Sequence, residues 1–271
     1  MKLDLGNPLT SSEEHQSDTI TYLFASEFDH MPSRNLLNFL ETCDHFYVSF
    51  RQEAISLILQ AQCSCNCGPF IPYLAVNFMD RFISRMEIPQ GKPWILRLLV
   101  VSCLSLAAKM EDTDFSISNF QGDEAGFIFD NKTIKRMELL ILDTLDWRMR
   151  SITPFSFVHF FISLSQLKDP ALTRTLKDRA TEIIFKSQNE IKLLKFKPSI
   201  IAASALLVAS KELLPLQFPS FKFSISAFEC VNEENLLNCF DTLREMVERK
   251  WREAMLDTKS CTRTPIITWN V

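Results

Sequence analysis

Apolar positions recur along this chain at the three-to-four-residue spacing of amphipathic helices. Asp18 to Phe28 carries Ile20, Leu23, Phe24 and Phe28 on one helical face, and Pro32 closes the segment because its ring cannot continue a helix. Asn35 to Leu40 reads as a short helical piece. Ser49 to Gln62 places Phe50, Ala54, Leu57 and Ile58 on one face, and Gly68-Pro69 breaks the chain. Pro72 to Ser84 follows, with Leu74, Phe78 and Phe82 a turn apart, and then a loop containing Pro89, Gly91 and Pro93. Trp94 to Lys109 is apolar nearly all round, the pattern of a helix in the middle of a bundle. Glu111 to Asp130 reads as a loop, and Lys132 to Leu145 as a further amphipathic helix.

Thr153-Pro154 punctuates the chain and the pattern restarts. Pro154–Leu164, Asp169–Gln188, Pro198–Leu213, Ser224–Phe228 and Glu233–Met255 all read helical. Within this second run, Ser204 to Lys211 (SALLVASK) parallels Ser102 to Lys109 (SCLSLAAK), with four of eight residues identical at an offset of 102. Both copies lie in the most apolar helix of their half, so the pattern predicts a duplicated all-α module. The expected organisation is a polar, mobile N-terminus over 1–17, a first module with its preceding helix over 18–150, a second over 151–257, and a tail over 258–271.

Composition narrows this picture. Only five of 271 residues are glycine, which argues against glycine-punctuated barrels and glycine-rich phosphate loops. Twenty-nine Lys and Arg against 33 Asp and Glu leave no basic excess for a nucleic-acid backbone. Residues 1–12 contain no apolar signal region, and Trp94–Ala108 and Ile200–Ala209 fall short of the roughly 18–20 residues of a membrane span. The expectation is a soluble, intracellular protein that binds neither nucleic acid nor membrane. Its eight cysteines then read as reduced thiols.

Four ordered blocks resemble the cyclin family, and more closely the plant D-type cyclins. Tyr73–Ser84 (YLAVNFMDRFIS) is similar to the second helix of a cyclin box, and Leu99–Asp112 (LVVSCLSLAAKMED) to the third. Lys135–Trp147 (KRMELLILDTLDW) is similar to the fifth, and Ile152–Phe157 (ITPFSF) to the opening of the second box. The resemblance implies an all-α fold of two tandem five-helix cyclin boxes with an N-terminal helix. It also implies a function, as the regulatory subunit of a cyclin-dependent Ser/Thr kinase rather than an enzyme.

The family's site residues carry over residue by residue. A buried Arg–Asp bridge between the first two helices falls on Arg51 and Asp80, where charge among apolar faces demands a partner. The Lys and Glu that hold the kinase fall on Lys109 and Glu138, the Lys facing orphan carbonyls at a helix end and the Glu facing backbone N–H groups of the partner. Leu106, Met110, Leu142 and Trp147 lie beside them as apolar contacts. The partner implied is a PSTAIRE-type kinase of the plant A class, with kinase inhibitors and a retinoblastoma-related protein as further candidates.

The chain departs from the family in two docking motifs. The Met-Arg-x-x-Leu patch of the first helix is Phe50-Arg51-Gln52-Glu53-Ala54 here, with Leu57 in the place of its Trp, so docking of Arg-x-Leu peptides should be weak. The Leu-x-Cys-x-Glu motif for retinoblastoma-type proteins is absent from residues 1–18. Its nearest imitation, Leu237–Asp241, falls in an amphipathic helix and cannot be read as a strand. With its short tail, this shape resembles the short sixth subgroup of plant D-type cyclins.

Other constellations carry little chemistry. Cys63, Cys65 and Cys67 are three thiols with no nearby fourth ligand, so no metal site is expected. No cofactor motif is present, and no phosphate-binding loop, so the chain is not itself the kinase. Thr264-Pro265 offers a site for a proline-directed kinase. The expected role is kinase activation at the G1/S transition, in the nucleus and also in the cytoplasm. A cyclin-box adaptor in transcription is the alternative.

Overall fold

The computed structural model describes the backbone of residues 13–33, 45–65, 68–111, 113, 129–165 and 167–260, and the side chains of 19–33, 45–62, 68–111, 113, 129–165 and 167–253. Among the described residues there are ten α-helices and no strand. Helix α1 spans Glu13–Ser26 and runs into a 3-10 turn, Glu27–His30. The first box contributes α2 (His45–Cys65), α3 (Phe70–Ile83), α4 (Pro93–Met110) and α5 (Asn131–Thr144). The second contributes α6 (Phe155–Ser163), α7 (Pro170–Ser187), α8 (Pro198–Leu213), α9 (Phe218–Ser226) and α10 (Glu233–Ser260). Asn35–Leu40 and most of 111–130 lie outside the described residues, so four helices of the first box are seen.

Local chemistry sets the helix ends. Asp130 Oδ1 accepts from Thr133 N at 2.8 Å to cap α5, and Asn232 Oδ1 accepts from Asn235 N at 2.9 Å to cap α10. Proline stands in the first turn of α4, α7, α8 and α9, where its missing N–H costs nothing. This corrects the reading of Ser224–Phe228. Helix α9 starts at Phe218, with Pro219 in its first turn, and Phe221 and Ile225 form its buried face. Helix α1 likewise begins five residues before Asp18, through a polar stretch without apolar periodicity.

The core is in two parts. One is built around α4, with Ile58, Phe78, Met79, Leu99, Leu104 and Ile141 fully enclosed. The other is built around α8, with Phe157, Phe161, Ile183, Leu206, Leu236 and Leu243 enclosed. As a helix, α4 has 18 residues, long and apolar enough by length and composition to cross a membrane, where the sequence reading placed it short of that limit. Two-thirds of it is buried inside the bundle, the place its all-round apolar pattern implies.

The helix before the first box packs on the second, not on the box it precedes. Phe24 stacks against Phe157 at 4.9 Å and Phe228 at 5.4 Å between ring centroids. Glu27, fully buried, accepts from Ser199 N and Ser199 Oγ, both at 2.9 Å, at the N-terminus of α8. Burial pushes its carboxyl above the usual carboxylate range, against the two Ser199 hydrogen bonds and Lys197, whose Nζ stands at 3.6 Å. The packing unit therefore differs from the sequence unit. The chain's first helix closes the second core, while its next segment returns to the first box through Ser33, which bonds Ser84 on both its N and Oγ.

Candidate partner-binding site

Lys109 lies in the last turn of α4 and Glu138 in the middle of α5, which packs against it. Lys109 Nζ donates to both carboxylate oxygens of Glu138, at 2.6 and 2.7 Å. The pair is asymmetric, for the lysine side chain is 58% exposed and that of Glu138 only 8%. Glu138 is thus a buried acceptor that orients the ammonium, and an ammonium has three N–H donors, so one stays free for an outside carbonyl. The sequence reading aimed both groups at the partner; the structure pairs them with each other first.

Around this pair the apolar residues divide. Met110 is 37% exposed and Trp147 63% exposed. Leu142 is half-buried against the first core, and Leu106 is 6% exposed and belongs to that core. Leu106 therefore supports the surface from beneath. Leu139, which the sequence reading passed over, is 52% exposed one turn before Leu142 on α5. A large apolar residue on the otherwise polar side of an amphipathic helix was the signal that marked it.

Trp147 is held out by the backbone. Asp146 and Trp147 have φ of 53° and 59°, the left-handed region that a bulky residue avoids. Three contacts hold the turn: Trp147 N donates to Leu142 O at 2.9 Å, Trp147 Nε1 to Asp143 Oδ1 at 3.1 Å, and Arg85 to Asp146 Oδ2 at 2.8 Å. A strained conformation kept by surrounding bonds is a common mark of a functional surface.

The predicted internal bridge is present and larger than predicted. Arg51 donates to Asp80 through Nε at 2.8 Å and Nη2 at 2.9 Å, a bidentate pair almost wholly buried. Arg51 Nη2 also donates to Gln188 O at 2.7 Å, and Gln188 Nε2 donates to Tyr73 O at 3.2 Å. One guanidinium thereby joins α2, α3 and the end of α7, so the bridge also ties the second box to the first. Sequence reasoning missed Arg81, fully enclosed next along α3, which donates to Arg148 O and Ser151 Oγ at 3.0 Å each and fastens the segment between the boxes. Burial, then Arg85 and Arg148, lower its pKa to about 10. Burial, Arg81 and Arg148 likewise hold the His30 imidazole down to about 4.

The docking positions Phe50, Ala54 and Leu57 all face the core. Within Leu237–Asp241, Cys239 is enclosed in α10, and burial pushes its thiol up to about 12. The side chains of Cys63, Cys65 and Cys67, and Thr264-Pro265, lie outside the described residues.

Comparison with known proteins agrees with this architecture. The family models described as the cyclin N-terminal domain and the cyclin C-terminal domain match residues 18–150 and 152–260. A sequence of Arabidopsis thaliana named for cyclin-D6-1 is 44% identical over 256 residues, covering 90% of this chain and 83% of the relative. The cyclin-D4-1 of Arabidopsis thaliana is 33% identical, covering 94% and 79%. The cyclin-D6-1 of Oryza sativa subsp. japonica is 35% identical, covering 89% and 73%. Among solved structures, the fold is shared with a viral cyclin from herpesvirus saimiri, at a TM-score of 0.61 and 18% identity over 74% of this chain and 85% of that one. It is also shared with a chain of the CAK complex from Chaetomium thermophilum, at 0.54 and 18% over 95% and 87%. With both boxes matched in tandem, and plant D-type relatives aligned over most of their length, this chain belongs to the cyclin family, among its plant D-type members.

Proposed function

We propose that this D-type cyclin binds a cyclin-dependent Ser/Thr kinase through the face around Lys109 and Glu138 and activates it at the G1/S transition, in the nucleus. The observation that carries this reading is a lysine aimed by a buried carboxylate, beside Met110 and a Trp147 held exposed. A kinase is active only when its regulatory helix brings the Lys–Glu ion pair together. A rigid surface that contacts that helix better in its active position shifts the population toward activity. The free donor of Lys109 suits the carbonyls at a helix end, and the apolar rim suits the adjoining side chains. The chain itself supplies no catalytic group in this reading. A PSTAIRE-type kinase of the plant A class is the partner to test.

The test is a pull-down with such a kinase and a histone-kinase assay, on wild type and on Lys109→Ala/Glu138→Ala. Wild type should bind and activate, and the double variant should lose at least tenfold in both. A wild type that activates no kinase of this class would sink the function, and a fully active double variant would sink the site.

A further inference from the structure

Three polar side chains of α3 and its C-terminal turn, Asn77, Arg81 and Arg85, recur every four residues, the spacing of one helical side. All three hold the segment that follows α5. Asn77 Oδ1 accepts from Ser151 Oγ at 2.8 Å, and Arg81 donates to Arg148 O and Ser151 Oγ. Arg85 stands two residues beyond the end of α3, in a turn that continues it, for its N donates to Phe82 O at 3.0 Å. Its Nη1 donates to Thr144 O and to Asp146 Oδ2, at 2.8 Å each. The stripe therefore runs along the chain from Thr144 to Ser151, and Trp147 lies within the stretch that it holds.

The two bonds of Arg85 do different things. Thr144 O is one of the last carbonyls of α5, which have no partner inside the helix, and a basic side chain is a common cap for them. A cap needs no more than that bond. The second bond falls on Asp146, the first of two left-handed residues, a conformation disfavoured for any residue with a Cβ. The residue after Trp147 is held as well, for Arg81 takes the carbonyl of Arg148, and Arg148 Nη1 pairs with Asp29 Oδ2 at 2.6 Å. Trp147 thus stands between two held neighbours with its own ring left outside. The Arg85–Asp146 pair lies at the surface, its side chains 31% and 67% exposed, so a change there opens no cavity in the core.

On the reading that the face around Lys109 and Glu138 binds a kinase, we infer that Arg85 is a positioning residue of that face, which acts through the Asp146–Trp147 turn and does not touch the partner. By tying the end of α5 to Asp146, the guanidinium fixes how the chain turns before Trp147, and so where the indole stands. The partner then meets a ring already in place and does not have to order it on binding. Without Arg85, Asp146 and Trp147 relax toward right-handed backbone and the indole leaves its place. Binding loses one apolar anchor, while Lys109 keeps its bonds to Glu138.

The experiment uses the full chain labelled with 5-fluorotryptophan and read by fluorine NMR. The chain has four tryptophans, and Trp147→Phe identifies the line of Trp147. In Arg85→Ala that line should shift or broaden while the other three stay, which separates a local change from unfolding. Arg85→Lys, which keeps a charged donor, should keep the wild-type line. The Kd for a PSTAIRE-type kinase of the plant A class should rise about fivefold in Arg85→Ala, the loss expected of one anchor, and hardly at all in Arg85→Lys. In a Trp147→Ala background, Arg85→Ala should weaken binding no further, because it acts through the ring. An unmoved Trp147 line in Arg85→Ala would overturn the proposal. So would kinase binding equal to wild type, or a loss that persists without Trp147, which would make Arg85 a direct contact. A wild type that binds no kinase would sink the reading of the face, and the fluorine line alone then decides whether Arg85 sets the turn.

Discussion

The two boxes share a plan and differ in what they bury. Among the described residues of the first box, Arg51, Asp80, Arg81 and Glu138 are enclosed charged groups. In the second, the enclosed polar residues from Thr153 onward are Thr153, Ser187, Ser199, Ser204 and Ser210, all hydroxyls. A serine in a helix can donate a hydrogen bond to a carbonyl of its own turn, as Ser187 Oγ does to Ile184 O at 2.7 Å. A buried charge has no such local solution and commits several elements to one geometry. The second box itself encloses only hydroxyls, and a charge buried against it, Glu27, comes from the segment that precedes the first box. The first carries charge where three elements meet at Arg51 and where Glu138 holds the exposed Lys109. Duplication supplied the scaffold, and the added charge distinguishes one copy from the other.

The comparison can be broken most severely at Asp80. Asp80→Ala leaves Arg51 buried without its carboxylate and should cost about 3–5 kcal/mol, read as a lowered urea midpoint. Replacing the pair together, as Arg51→Met/Asp80→Leu, should cost less than the single change, because no charge is then stranded. A single loss no larger than that of a surface substitution would show that the bridge does not hold the boxes.

Phe24→Ala tests the other core from outside its own sequence unit. It removes a ring packed on Phe157 and Phe228 and should cost about 3 kcal/mol. Hydrogen exchange should quicken in α1 and in α6, and hardly at all in α4. Equal loss of protection in α4 would mean that the first helix belongs to the first box after all.

Glu138→Phe puts a ring beside Lys109, as Phe240 stands beside Lys211 in the second box. It should weaken kinase binding by about 2–4 kcal/mol, as loss of a central hot spot does. Unchanged binding would mean that the carboxylate does not orient Lys109 for the partner.

The caps give the smallest contrast. Asn232→Ala should cost about 1 kcal/mol at any pH, since an amide does not titrate. Asp130 is held below the usual carboxylate range by its hydrogen bonds to Thr133. Its folded pKa lies below its unfolded value, so its contribution is present above that value, about 3.9, and is lost as the pH falls through the folded pKa. Asp130→Asn should remove this acid-side loss and make the first cap behave like the second. Exchange rates of the first amides of α5, compared near pH 3 and pH 6, would show it.

Much of the site was legible because buried charge is rare. Arg51 and Asp80 stood out as charges on apolar faces, while Lys109 and Glu138 were placed by the resemblance to the cyclin family. Arg81 was just as enclosed and was passed over, because it has no carboxylate partner to search for; its partners are a carbonyl and a hydroxyl in the inter-box segment. Leu106 was named as a contact and is core, because periodicity gives the face of a helix but not how far the neighbouring helix covers it. Trp147 could be named but not its display, which depends on two left-handed residues.

By itself the sequence determined most of the helices, their duplication and one pair that must be joined, Arg51 and Asp80. Those follow from local periodicity, from caps and from the cost of an unpaired charge, none of which requires knowing where distant segments go. Only the tertiary structure decided that the first helix closes the second core. Only it decided that Arg51 reaches Gln188, and that Lys211 meets the ring of Phe240 while Lys109 meets a carboxylate. Each of these joins residues far apart in the chain, 137 positions in the case of Arg51 and Gln188. At that separation the spacing pattern is silent, and the packing of whole helices sets which side chains meet.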